Sequence, residues 1–163
     1  LGIGMNPDMK KDIKSLSPRL ALLPLATILG SWLGAVVAYL IMNIDLTSVL
    51  QHRSLSDCLA LNSGFAYYSL SSIFITEYRG AELGTIALLA NIIREMTTLL
   101  LTPLLARWFG PLAPISTGGA TTMDTTLPII TQTIGQRYVA LSIYHGFVTD
   151  FSVPFLVTMW CML

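Results

Sequence analysis

The chain has 163 residues, 53% of them hydrophobic and only 11% charged, with a mean hydropathy of +0.68 and a formal net charge of zero. Soluble domains carry about 25% charged residues, so this composition excludes an ordinary water-soluble enzyme and describes an integral membrane protein. No basic stripe argues for nucleic acid, and Cys58 and Cys161 lack the spacing of a zinc site or a disulfide framework, so neither metal nor cofactor is expected.

Residues 1–19 read as the end of a preceding helix, Leu1 to Met5, followed by a polar stretch with Lys10, Lys11, Lys14 and Arg19. An apolar stub ahead of the charges is the reverse of a signal peptide and implies a functional unit that extends upstream. Four cations beside a membrane span place the segment in the cytoplasm.

Residues 20–163 form the transmembrane domain. The first crossing, 20–42, has no charge and is about 35 Å long as a helix. Ala26, Gly30, Gly34 and Ala38 give it a smooth ridge for close helix packing. The second crossing, 59–78, carries Asn62, Ala66, Ser69, Ile73 and Thr76 roughly on one face. That face reads equally as a pathway wall or as interhelical hydrogen-bond glue, and Arg79 at its end is expected in the cytoplasm.

The third crossing, 83–107, places Gly84, Leu88, Asn91, Glu95, Thr98 and Thr102 on one face, with Arg94 about 100° away. Glu95 falls midway along an apolar helix, where a charge costs about 2.5–3.5 kcal/mol on insertion scales. Adjacent residues cannot face each other on a helix, so Arg94 and Glu95 each need a partner elsewhere. The acid is either half of a structural ion pair or a handler of ions and substrate.

Residues 116–131, STGGATTMDTTLPIIT, hold six threonines, a glycine pair, Asp124 and Pro128 between apolar segments. Gly118-Gly119 should break a helix, and Thr125 or Thr126 should cap its restart with Pro128 in the first turn. Broken backbone at membrane depth survives only when buried in protein or lining a wet cavity, and such half-helix ends hold charged substrates in many secondary transporters. A loop outside the bilayer is the other reading. The fourth crossing is therefore a discontinuous helix over 115–134. The fifth, 138–162, aligns Ser142, His145, Thr149 and Ser152, with Gly146, Asp150 and Pro154 alongside. Pro154 should kink it, and the C-terminus then lies outside. A lone His is commonly a packing residue, but a nearby Asp strengthens a functional reading.

The strings Ser63-Gly64-Phe65, Tyr68-Ser69-Leu70-Ser71, Thr76-Glu77, Asn91 with Arg94-Glu95, Gly119-Ala120-Thr121 with Met123-Asp124, Thr126-Leu127-Pro128 and His145-Gly146-Phe147 occur in that order over nearly the whole chain. Together they resemble the LysO-type lysine exporter family. The resemblance implies that Glu95 matches an essential intramembrane glutamate and that Asp124 and His145 lie in signature segments; Asp150 has no counterpart in the pattern. It also implies export of L-lysine and its analogue thialysine across the bacterial inner membrane by exchange for protons. The family's N-terminal half, with further helices and a second intramembrane acid, is not in this sequence. The chain is then a fragment, the large subunit of a split transporter with a small membrane partner, or a homodimer.

The expected fold is thus an all-α membrane protein of about five crossings, one discontinuous, forming half of a secondary transporter with inverted-repeat architecture. Glu95 or Asp124 takes an ammonium group or the coupling proton. Thr121, Thr122 and backbone donors at the break take the substrate carboxylate. Asn91, Thr98, Asn62 and His145 complete the candidate set, with Arg94 and Asp150 beside them. Two other classes stand against this reading. One is an accessory or assembly subunit without its own pathway. The other is an intramembrane hydrolase with Asp124 and Asp150 as a dyad, although neither an HExxH nor a G-x-S-x-G setting occurs.

Overall fold

The computed structural model describes residues 18–44 and 54–163; the expected N-terminal stub and the basic cluster at Lys10, Lys11 and Lys14 lie outside the described residues. All regular structure among the described residues is helical. A short 3-10 turn, Pro18–Leu22, leads into α1 (Leu23–Ile44). Then follow α2 (Leu55–Asn62), α3 (Tyr68–Arg79), α4 (Ala81–Phe109), α5 (Ala113–Gly118), a 3-10 segment at Gly119–Met123, α6 (Leu127–Ile134) and α7 (Val139–Met162). Three helical stretches are long and apolar enough to cross a membrane: Leu20–Ile41, Ala81–Phe109 and Gln136–Met162. Their outward faces are lipophilic, with Leu25, Leu29, Leu33, Ile93, Leu100, Phe147 and Phe151 all exposed, as a hydrocarbon solvent requires.

Residues 59–78 depart from the single helix read in the sequence. α2 and α3 fold back on one another around a turn at Ser63–Ala66. The base of this hairpin is closed by Asp57, in the first turn of α2, and Arg79, the last residue of α3, which pair at 3.5 Å. Asp57 also completes a capping box with Ser54. Arg79 donates from Nε to the Cys161 carbonyl at 3.0 Å, so the hairpin base lies against the far end of α7. The turn itself is strained: Phe65 and Ala66 have φ of 43° and 69° without being glycine. It is held from outside, because Asn91 Oδ1 accepts the Ala66 amide at 2.8 Å.

A second hairpin forms over residues 113–134. Leu112 and Ile115 at its start and Ile130, Ile134 and Tyr138 at its end share one apolar cluster with Leu20, Leu23 and Leu141. The chain therefore enters and leaves this hairpin at the end where α1 and α7 begin. That end is also marked by the Tyr144 hydroxyl, which donates to the Ala21 carbonyl at 3.2 Å. α1 and α7 run side by side in the same direction, and α4 runs back from the base of the first hairpin to the base of the second.

The two hairpins approach from opposite ends and their tips touch. The Ala120 amide donates to the Phe65 carbonyl at 2.9 Å. Gly119 makes this possible twice over: its φ is 60°, and a Cβ there would collide with the Phe65 carbonyl oxygen. α5 thus stops at Gly118, and the segment Gly119–Met123 is a 3-10 turn and not open backbone. α7 continues through Pro154 as one helix. On α1, Thr27, Ile28 and Ala35 pack inward, while the Ala26–Gly30–Gly34–Ala38 ridge is exposed and nothing lies within 4 Å of a Cβ built on Gly30 or Gly34.

Candidate functional site

Where the tips meet, they line a half-open cavity of about 190 Å³. Ala66, Tyr67, Tyr68 and Ser69 come from the first hairpin. Ala120, Thr121, Met123, Asp124 and Thr125 come from the second, Glu95 from α4 and Asp150 from α7. Three carboxylates from three elements face this one space, and no lysine, arginine or histidine among the described residues lines it.

Glu95 is the fifteenth of the 29 residues of α4, at its middle. Its Oε1 accepts from the Thr125 hydroxyl at 2.6 Å. The same hydroxyl stands 3.5 Å from Asp124 Oδ1, which accepts the Thr125 amide at 2.6 Å. Thr125 therefore joins the two acids into one anionic centre. Of the two threonines expected as a cap, Thr126 holds the N-cap position of α6, although its side chain makes no cap bond. The cavity tyrosines and Met123 were also not anticipated, since nothing in their spacing marks them.

Of the other residues singled out by sequence, Thr121 lines the cavity while its hydroxyl donates to the Gly118 carbonyl at 2.8 Å. Thr122 is buried behind the wall and donates to the Gly119 and Ser142 carbonyls. His145 is fully buried, with Nε2 2.9 Å from the Thr27 hydroxyl and Nδ1 3.4 Å from that of Thr122. Asn91 is buried and supports the first tip, accepting from Ala66 and donating to the Ala87 carbonyl at 2.9 Å. Thr98 donates to the Arg94 carbonyl at 3.0 Å. Asn62 donates to the Cys58 carbonyl and lines a separate depression with Asn91 and Arg94. Thr122, His145, Asn91, Thr98 and Asn62 are not among the residues that line the cavity.

Arg94 answers the question of its partner without an acid. Nε donates to the Thr117 carbonyl at 2.9 Å and Nη2 to the Ser116 carbonyl at 3.1 Å, so the guanidinium caps the C-terminal end of α5. It also lies 5.5 Å above the Phe65 ring. One cation thereby braces both hairpins. Glu95, one position on, forms no ion pair among the described residues and reaches the opposite side of the second tip.

Three of the backbone donors around the break bond within the segment itself. The amides of Asp124 and Thr126 both donate to the Thr121 carbonyl at 3.1 Å, and that of Thr125 goes to Asp124. The only charged groups lining the cavity among the described residues are the three carboxylates. Among the described residues no three His, Cys, Asp or Glu side chains converge closely enough to hold one metal ion.

A family model described as lysine exporter LysO matches residues 1–161. The Escherichia coli K12 protein named lysine exporter LysO is 32% identical over 142 residues, covering 87% of this chain and 44% of the relative. A Haemophilus influenzae protein provisionally named a lysine exporter is 34% identical over 129 residues, covering 79% of this chain and 61% of the relative. The chain spans about half the length of the curated relatives it matches. No solved structure matches.

Proposed function

The chain belongs to the lysine exporter LysO family, and from that premise we propose that it carries the cation-binding part of a secondary exporter of L-lysine and thialysine, working by exchange for protons across the bacterial inner membrane. The observation that carries this reading is the Glu95–Thr125–Asp124 centre, placed midway along α4 in an all-anionic cavity between two hairpin tips. An intramembrane acid is costly unless it has a role. One that holds either an ammonium group or a proton, but not both, makes exchange obligatory.

In this reading α1, α4 and α7 span the bilayer and the two hairpins are re-entrant. Re-entrant backbone is tolerated at depth because it is buried in protein or lines the cavity. The basic segment lies in the cytoplasm together with Arg107 and Arg137, and the Asp57–Arg79 end lies outside. The exposed ridge on α1 is a packing face for helices beyond this chain: the other half of a longer exporter, a small membrane partner, or a second copy.

The test is counterflow of labelled lysine in proteoliposomes, with the chain alone and with its partner helices supplied, under an imposed pH gradient. Lysine exchange accelerated by the gradient is expected. Absence of exchange in the complete assembly would leave the accessory-subunit reading instead.

A further inference from the structure

We propose that Asp150 forms a second cation subsite in this cavity, taking one ammonium group of a substrate that carries two while the Glu95–Asp124 centre takes the other. The inference rests on the lysine-export reading above. Glu95 and Asp124 share donors from Thr125, whereas the Asp150 carboxylate receives no hydrogen bond from any described residue, although it is half-buried and faces the same space.

The shape of the space selects among cations. The acids line one cavity without converging on a point that could coordinate a metal ion. About 190 Å³ is room for roughly six waters at ~30 Å³ each, the scale of one small molecule. Met123, Ala66, Ala120, Tyr67 and Tyr68 line the same cavity, apolar or amphipathic residues suited to a methylene chain. An extended molecule with two separated ammonium groups satisfies the acids and the wall together. A single cation leaves Asp150 unmatched.

The experiment measures binding to the purified full chain in lipid nanodiscs. L-lysine is compared with two analogues bearing one ammonium each, 6-aminohexanoate and norleucine. The wild type should bind lysine at least roughly tenfold more tightly than either analogue. Asp150→Asn, with its melting temperature checked, should weaken lysine by a similar factor. It should leave unchanged the analogue held by the Glu95–Asp124 centre, and Asp150→Glu should recover part of the loss. Equal binding of lysine and both analogues by the wild type, or an equal loss for all three in Asp150→Asn, overturns the subsite while lysine binding itself stands. If neither the chain alone nor the assembly with its partner helices binds lysine, the export reading fails and this inference with it.

Discussion

The Thr125 hydroxyl donates to the Glu95 carboxylate at 2.6 Å, tying the tip of the second hairpin to the middle of α4. This contact crosses from a polar turn to the centre of an apolar helix, and it converts an isolated charge into part of a built site. Because the partner is a hydroxyl and not a cation, the carboxylate can be neutralised without stranding an opposite charge.

That relationship makes Glu95→Gln informative. The amide oxygen still accepts from Thr125, so stability should change by no more than about 1 kcal/mol, while lysine export should be lost. Transport and thermal stability are to be read on the same purified protein. Normal export by a folded variant would move the proton-carrying role to Asp124.

Arg94 should behave in the opposite way. Arg94→Gln removes charge-assisted bonds to two α5 carbonyls and the contact over Phe65, a loss of about 2–4 kcal/mol. Arg94→Lys should recover little, because a single ammonium cannot fork to both carbonyls and stack on the ring. Thermal unfolding in detergent measures both, and a wild-type melting temperature for Arg94→Gln would remove Arg94 from the scaffold.

Glycines divide by position. Gly119→Ala meets both a left-handed φ, worth about 1–3 kcal/mol of strain, and the Phe65 carbonyl, so the variant should fail to accumulate folded. Gly34→Ala meets nothing within 4 Å and should leave the chain's own stability unchanged. Any effect of Gly34→Ala on transport then reports on helices outside this chain.

Topology can be read by cysteine labelling in a background lacking Cys58 and Cys161. With two re-entrant hairpins, Ala81→Cys at the exposed start of α4 should react with an impermeant reagent in intact cells and Lys11→Cys should not. Protection of both positions would instead mean that residues 59–78 cross the bilayer.

The all-helical membrane class was legible in the sequence because long uncharged runs admit few other solutions. The folding-back of 59–78 was not. Hydropathy registers one apolar run there, and the turn is made by Phe65 and Ala66 in left-handed conformations that neither residue favours. What imposes that turn is distant in sequence: Asn91 on α4 and Ala120 in the other hairpin. Glu95 and Asp124 stood out because burying acids is costly, and they line one cavity. Thr125 and Thr126 could not be told apart as caps in the sequence: Thr126 holds the N-cap position, and the bond from Thr125 to a carboxylate 30 residues away leaves no local signal.

The bond from the Ala120 amide to the Phe65 carbonyl has a mechanical consequence. Both residues are almost wholly enclosed, so breaking the bond costs about 1–3 kcal/mol. Gly119, pressed against the same carbonyl, leaves no slack for sliding. Moving either tip alone would break this bond, so the two hairpins are coupled at one point.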